Sequence, residues 1–211
     1  MMFKPLISFC ALLAAVASSL AGVIIDDFSA HPNNTSATFS APNLGRNPVF
    51  FRQTGLESGH VLGGARSASV QADSSIPVSF AFDAEKKQGV LTLDKLATGR
   101  ATLNYFGGSM GEARDLDTDF TKGGANALAI TFTKAPANGT LIVTLYSGEK
   151  YQAIPLPIKD GAPLIFPFTA FPDIDFRHID GVTVEIHIPK AVNKKFVYEL
   201  ARIEAIAAKT R

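Results

Sequence analysis

The chain is 211 residues long, 46% hydrophobic and 18% charged, which is the composition of an ordinary globular protein and not of a disordered or collagen-like one. Lys and Arg number 20 against 19 Asp and Glu, a formal net charge of +1. There is no basic excess to neutralise a phosphate backbone, which excludes a dedicated nucleic-acid binder.

Residues 1–21 read as a secretory signal. Lys4 supplies the positive start, the run from Leu6 to Ala17 is apolar, and Ser19-Leu20-Ala21 places cleavage after Ala21. The run is shorter than the ~20 residues that a membrane span needs, and no second long apolar run follows. The expectation is export, to the periplasm or beyond, with no membrane span after cleavage. Cys10 is the only cysteine, and Phe9 before it does not fit a lipoprotein acceptor. Cleavage leaves residues 22–211 as a single expected domain, with equal numbers of basic and acidic residues and no cysteine. Such a chain relies on its core and not on disulfides.

Strand candidates follow in order at 23–28, 49–53, 65–72, 78–82, 89–93, 100–106, 128–132, 141–145, 151–157, 164–168 and 182–188. Four of them alternate strictly. Val78, Phe80 and Phe82 interleave with Ser79, Ala81 and Asp83, and Leu128, Ile130 and Phe132 with Ala129, Thr131 and Thr133. Leu141, Val143 and Leu145 interleave with Ile142, Thr144 and Tyr146, and Val182, Val184, Ile186 and Ile188 with Thr183, Glu185 and His187. Period two puts one set of side chains on a core and the other on the far face. Turn signals separate the candidates at Pro32-Asn33-Asn34, Gly63-Gly64, Gly107-Gly108, Gly123-Gly124, Asn138-Gly139, Asp160-Gly161 and Asp180-Gly181. The last segment, 196–208, is ambiguous. Val197, Leu200, Ile203 and Ile206 fall three apart, as in a helix, but a strand here would pair the chain ends, and strand is the preferred reading. The whole predicts an all-β, two-sheet antiparallel sandwich.

The order of several short motifs is familiar. Val23-Ile24-Ile25-Asp26-Asp27-Phe28 opens the exported part, and Val61-Leu62-Gly63-Gly64-Ala65-Arg66-Ser67 follows. Then come Gly99-Arg100-Ala101-Thr102-Leu103-Asn104-Tyr105, Asp115-Leu116-Asp117, Phe171, Asp175-Phe176 and Gly181-Val182. This order resembles secreted bacterial jelly-roll proteins of the galactose-binding-like type, similar to exported proteins associated with a PEP-CTERM sorting tail, although no such tail is read here. The resemblance implies a jelly-roll sandwich and, in many such domains, carbohydrate binding. It also brings the expectation of a structural calcium tying the first strand to the last, with Asp26, Asp27 and Glu199 (or Glu204) as candidate ligands.

Candidate chemistry is sparse. Gly107-Gly108-Ser109-Met110-Gly111 matches the nucleophile-elbow pattern, but no amphipathic helix follows it, and a loop is expected. Asp115, Asp117 and Asp119 would share one face of a strand, with Leu116 and Phe120 opposite; Phe120 and Asn126 occupy positions where a calcium-binding EF-hand needs glycine and glutamate. His31, His60, His178 and His187 show no zinc-site spacing. Asn33, Asn34 and Asn138 begin N-x-[ST] triplets, which matter only in a eukaryotic secretory route. There is no Trp for sugar stacking, which leaves Tyr105, Phe106, Tyr146 and Tyr151. Arg100, Thr102 and Asn104 form a polar stripe on one face of a strand, and Arg66 is expected to join it from a neighbour. The candidate ligand-binding residues are therefore Arg66, Arg100, Asn104 and Tyr105. Non-catalytic binding of an extracellular glycan is the expected role; a structural envelope or matrix protein is the alternative, and a secreted hydrolase stands behind both.

Overall fold

The computed structural model describes residues 22–42, 47–107, 115–159, 163–190 and 193–208. Thirteen strands lie among them, and no α-helix does. They are β1 (Ile24–Asp26), β2 (Ala37–Ala41), β3 (Val49–Gln53), β4 (Arg66–Ala72), β5 (Val78–Asp83), β6 (Gln88–Leu93) and β7 (Gly99–Tyr105), then β8 (Ala127–Lys134), β9 (Thr140–Ser147), β10 (Lys150–Pro157), β11 (Leu164–Pro167), β12 (Gly181–Ile188) and β13 (Phe196–Ile206). No helix among the described residues is long and apolar enough to cross a membrane. The proposed signal and Ser109 lie outside the described residues.

The strands form the antiparallel sandwich that the alternation predicts. One sheet runs β11-β8-β13-β6-β5-β2, with β1 added beside β13; the other runs β10-β9-β12-β7-β4-β3. Each strand turns alternate residues inward. In β9 these are Leu141, Val143 and Leu145, and in β12 Val182, Val184, Ile186 and Ile188, all buried. They meet Phe80, Phe82, Leu91, Leu93, Leu128 and Ile130 of the facing sheet in one core. Fully burying such a side chain is worth about 1.5–3 kcal/mol, so this layer is the main source of stability in a chain without disulfides.

Two local features need their own reasons. Strand β2 is not announced by the sequence, because Phe39 is its only large apolar residue; it forms by pairing with β5 and by stacking Phe39 on Phe51 of β3, ring centroids 5.3 Å apart. Strand β13 is a strand throughout, with a bulge that produces the interval of three between Leu200 and Ile203. Its buried set is Phe196, Tyr198 and Leu200, then Ile203 and Ala205, while Ala201 and Arg202 both lie off the core. The register against β8 shifts between Leu200 and Arg202, where one extra residue is inserted. Beyond the shift, β1 pairs with β13, Ile24 opposite Glu204 and Asp26 opposite Ile203, so the two chain ends are joined as expected.

The acidic stretch is not a regular strand. Only Thr118 bridges, to Ile179, and Asp117 takes a left-handed φ of 40°. Its three carboxylates therefore do not form one face. Asp117 bonds His178, and Asp119 accepts from the backbone N–H and hydroxyl of Thr121.

Candidate functional site

Parity in the six-stranded sheet decides which polar residues meet solvent. In β7, Ala101, Leu103 and Tyr105 point inward, so Arg100, Thr102 and Asn104 point outward. The register carries this across the sheet. Asn104 stands opposite Thr183 of β12 and Ser67 of β4, and Thr183 opposite Thr144 of β9. The Thr183 hydroxyl donates to Asn104 Oδ1 at 2.9 Å, and Asn104 Nδ2 donates to Ser67 at 3.4 Å. Two rows away, beyond the Thr102–Glu185 pair, Arg100 stands opposite His187, and both face Asp73, at 3.6 and 3.8 Å.

Beside the Thr–Asn–Ser row lies a row of rings. Tyr146 of β9 pairs with Tyr151 of β10, their centroids 6.0 Å apart, and Phe106 meets Tyr146 edge-on at 5.6 Å. Strand β12 lies between Phe106 and Tyr146, and there it carries Gly181. A Cβ on Gly181 would stand 2.6 Å from the Phe106 ring and 3.4 Å from the Tyr146 ring. The missing side chain is what lets the two rings meet across the strand. Tyr151 is 68% exposed, so the row ends in an open aromatic face at the sheet edge.

The candidate ligand-binding residues therefore separate. Arg100 and Asn104 lie on the outer face. Arg66 and Tyr105 do not, which corrects the expectation that Arg66 extends the polar stripe. Arg66 opposes Gln53, while Ser67 is the residue beside Asn104, so Arg66 has inward parity. Its guanidinium is wholly buried. Nη1 donates to both oxygens of Asp26, at 2.9 and 3.0 Å, Nη2 to the Ala30 carbonyl at 2.8 Å, and Nε to Gln53 Oε1 at 2.7 Å. The Phe82 ring lies against it, 4.1 Å from the centroid. Tyr105 completes the group by donating its hydroxyl to Asp26 at 2.9 Å. Burial pushes the Tyr105 phenol well above its usual range, which keeps it a donor.

The same network bears on calcium. Asp26 accepts from Arg66, Tyr105 and the backbone of Phe28, a residue held at a left-handed φ of 56°. Burial raises its carboxyl, against the pull of the Arg66 charge. Asp27 points elsewhere, to His60 at 2.7 Å and to the Ser29 backbone and hydroxyl. Glu199 accepts from Thr133, and Glu204 pairs with Arg202. Glu199 also lies four residues along β13 from Ile203, the residue opposite Asp26, a separation of ~13 Å at strand rise. Asp26, Asp27 and Glu199 do not converge, and the cation beside Asp26 is a guanidinium. The residues present do not fit the expected calcium, and among the described residues no group of three His, Cys, Asp or Glu could hold a metal ion.

A cleft of about 410 Å³ opens nearby, lined by Ser29, His31, Leu56, Glu57, His60 and Lys87 among others. His31 donates from Nε2 to the Phe28 carbonyl at 2.7 Å. Burial holds its pKa down, so the ring is neutral and Nδ1 is an acceptor.

No protein-family model matches the chain, and no curated protein does. Among solved structures it is similar to a family 11 carbohydrate-binding module of a cellulosomal cellulase of Clostridium thermocellum. The identity is 15% over 92% of this chain and 99% of that one, with a TM-score of 0.41. A family 11 module from the same organism, in complex with a β-1,3-1,4-mixed-linked tetrasaccharide, aligns at 15% identity over 89% and 96% of the two chains, TM-score 0.41. A family 29 carbohydrate-binding module aligns at 11% identity over 82% and 93%, TM-score 0.33. These are distant β-sandwiches, and the class of this protein, a two-sheet antiparallel sandwich, rests on its own strand register.

Proposed function

We propose that the protein binds an extracellular glycan, without transforming it, on the outer face of the six-stranded sheet. The observation that carries this reading is the ring row Phe106–Tyr146–Tyr151 beside the polar row Thr144–Thr183–Asn104–Ser67. Sugars offer apolar C–H faces that stack on rings and hydroxyls that exchange hydrogen bonds with amide and hydroxyl side chains, so they need both kinds of surface side by side. Arg100, held by Asp73, extends the polar floor. The reading does not draw on the distant likenesses above. It includes export of residues 22–211 after removal of residues 1–21, which amino-terminal sequencing of the secreted protein would check.

The binding test is affinity electrophoresis of residues 22–211 through gels holding soluble β-glucans, xylans, mannans and galactans. At least one polymer should retard the protein, and Tyr151→Ala should weaken that interaction about tenfold, the upper range for one aromatic contact. If no polymer retards the wild type, or if Tyr151→Ala and Tyr146→Ala both migrate like it, the outer face is not a glycan site.

A further inference from the structure

Among the described residues two aromatic side chains are largely exposed, Phe50 at 71% and Tyr151 at 68%. Both lie on the outer face of the six-stranded sheet, on its two edge strands, β3 and β10. Phe50 stands opposite Ser69, Ser69 opposite Thr102, Thr102 opposite Glu185 and Glu185 opposite Ile142, which form one outward row. Ile142 pairs with Pro155, four residues along β10 from Tyr151. A single exposed ring is ordinary on a protein surface. What sets this pair apart is the ground between them. The line from Tyr151 to Phe50 crosses β9, β12, β7 and β4 near Thr144, Thr183, Asn104 and Ser69. These side chains are short, so the track is level, and each offers a hydroxyl or an amide. Thr183 and Asn104 are already fixed to one another. No charged side chain stands on the line between its ends. To one side of it Glu185 accepts from Thr102 at 3.4 Å, and Arg100 faces Asp73. The span is ~24 Å across five strand intervals and ~13 Å along the strands, about 27 Å in all. A pyranose ring is about as long as one strand interval of ~4.8 Å, so a sugar chain crossing the sheet sets roughly one ring over each strand.

We propose that this face is a track for the interior of a long, uncharged polysaccharide, which lies across the strands from Tyr151 to Phe50 and places about six sugars on the sheet. The proposal rests on the glycan reading above and adds to it the class of chain and a second aromatic platform. The row Phe106–Tyr146–Tyr151 holds one end of the bound stretch, and Phe50 stacks on the sugar over β3 at the other. Between them the hydroxyl and amide groups of Thr144, Thr183, Asn104 and Ser69 exchange hydrogen bonds with sugar hydroxyls. A trisaccharide covers the ring row and stops short of Phe50, whereas a polymer engages both platforms. The track offers no cation between its ends for a uronic acid or a sulfate, and the Glu185 carboxylate beside it repels such groups. All of these side chains are carried on paired strands, so an extended chain binds with little reordering of the protein.

The test is isothermal titration calorimetry of residues 22–211 against a ladder of oligosaccharides, from trisaccharide to octasaccharide, cut from the neutral polymer that retards the protein most. Affinity should climb with each added sugar to about the hexasaccharide and then level off. Phe50→Ala should weaken hexasaccharide binding about tenfold, leave the trisaccharide unchanged and bring the plateau to a shorter chain. Phe50→Tyr, which keeps a ring, should bind like the wild type. Because Phe50 is exposed, circular dichroism of both variants should match the wild type. Affinity that levels off at the trisaccharide overturns the track. So does Phe50→Ala binding the hexasaccharide like the wild type while Tyr151→Ala is weakened, a result that leaves the glycan reading standing. Stronger retardation by polygalacturonate than by every neutral polymer overturns the uncharged chain. If no polymer retards the wild type, the glycan reading falls and the track falls with it.

Discussion

Arg66 and Asp26 join the two sheets at their interior: Asp26 belongs to β1 in one sheet, and Arg66, Gln53 and Tyr105 belong to the other. Removing one member of a buried pair strands the other charge, which costs more than the pair contributes. Arg66→Met should therefore lower stability by about 3–5 kcal/mol in urea denaturation, and Asp26→Leu with Arg66→Met should recover most of the loss. Equal destabilisation by the single and double variants would show that the carboxylate is not what suffers. The exposed neighbour pair behaves differently. The hydrogen bond that His60 donates to Asp27, and then the Asp27 charge, hold His60 above its ordinary pKa; Asp27 is drawn below its own, against burial, by Ser29 and His60. A raised histidine stabilises below its unfolded value, near 6.5, and that contribution is lost as pH rises through the folded value. A lowered carboxylate stabilises above about 3.8, and its contribution is lost as pH falls through the folded value. The pair thus supports the fold most between about pH 4 and 6.5. Melting temperature should drop between pH 6 and 8 in the wild type, and the drop should shrink in His60→Gln.

At the scale of elements, the position that governs the ring row is Gly181, the first residue of β12. Its strand partners are Tyr146 on one side and, beyond Val182, the end of β7 that leads to Phe106. Gly181→Ala would drive a methyl into the Phe106 ring, with the nearest approach at 2.6 Å. The ring must move, at a cost of about 1–3 kcal/mol. The substitution should lower polysaccharide retardation as Tyr151→Ala does while the sandwich stays folded. Unchanged retardation would place the sugar contact on Tyr151 alone. Strand β13 shows why the chain's last segment reads two ways. Within each half the buried residues alternate; the bulge at Ala201–Arg202 accounts for the interval of three from Leu200 to Ile203, while Val197 and Ile206 lie on the opposite face and complete the helix-like spacing in sequence alone.

For the whole molecule, stability has to come without disulfides, since Cys10 is the chain's only cysteine. The core supplies most of it, and the Asp26–Arg66–Tyr105 group ties the first strand to the opposite sheet. Because a covalently tethered guanidinium occupies the place beside Asp26, melting of residues 22–211 should be the same in millimolar calcium and in chelator. A ligand that bound only the folded state at ~100 times its dissociation constant would add about 2.7 kcal/mol, so a shift of that size would contradict the guanidinium assignment.

Local pattern was enough for the strand class, most strand positions and the outward set Arg100, Thr102 and Asn104, because period two is a property of each strand alone. It was enough also to list Phe106, Tyr146 and Tyr151 among the rings available for stacking, and to separate them from nothing else. Tyr146 and Tyr151 meet across the β9–β10 hairpin, a local contact, but Phe106 joins them through strand order: β7, β12 and β9 are neighbours in space though far apart in sequence, and only that order brings Phe106 and Tyr146 to either side of Gly181. Arg66 and Asp26 required the same information. An isolated arginine beside a small-residue strand reads as surface, since burying its charge is costly; only the packing of β1 and Ala30 over β4 supplies the carboxylate and carbonyl oxygens, and only pairing with β3 the Gln53 amide oxygen, that make the buried position tolerable.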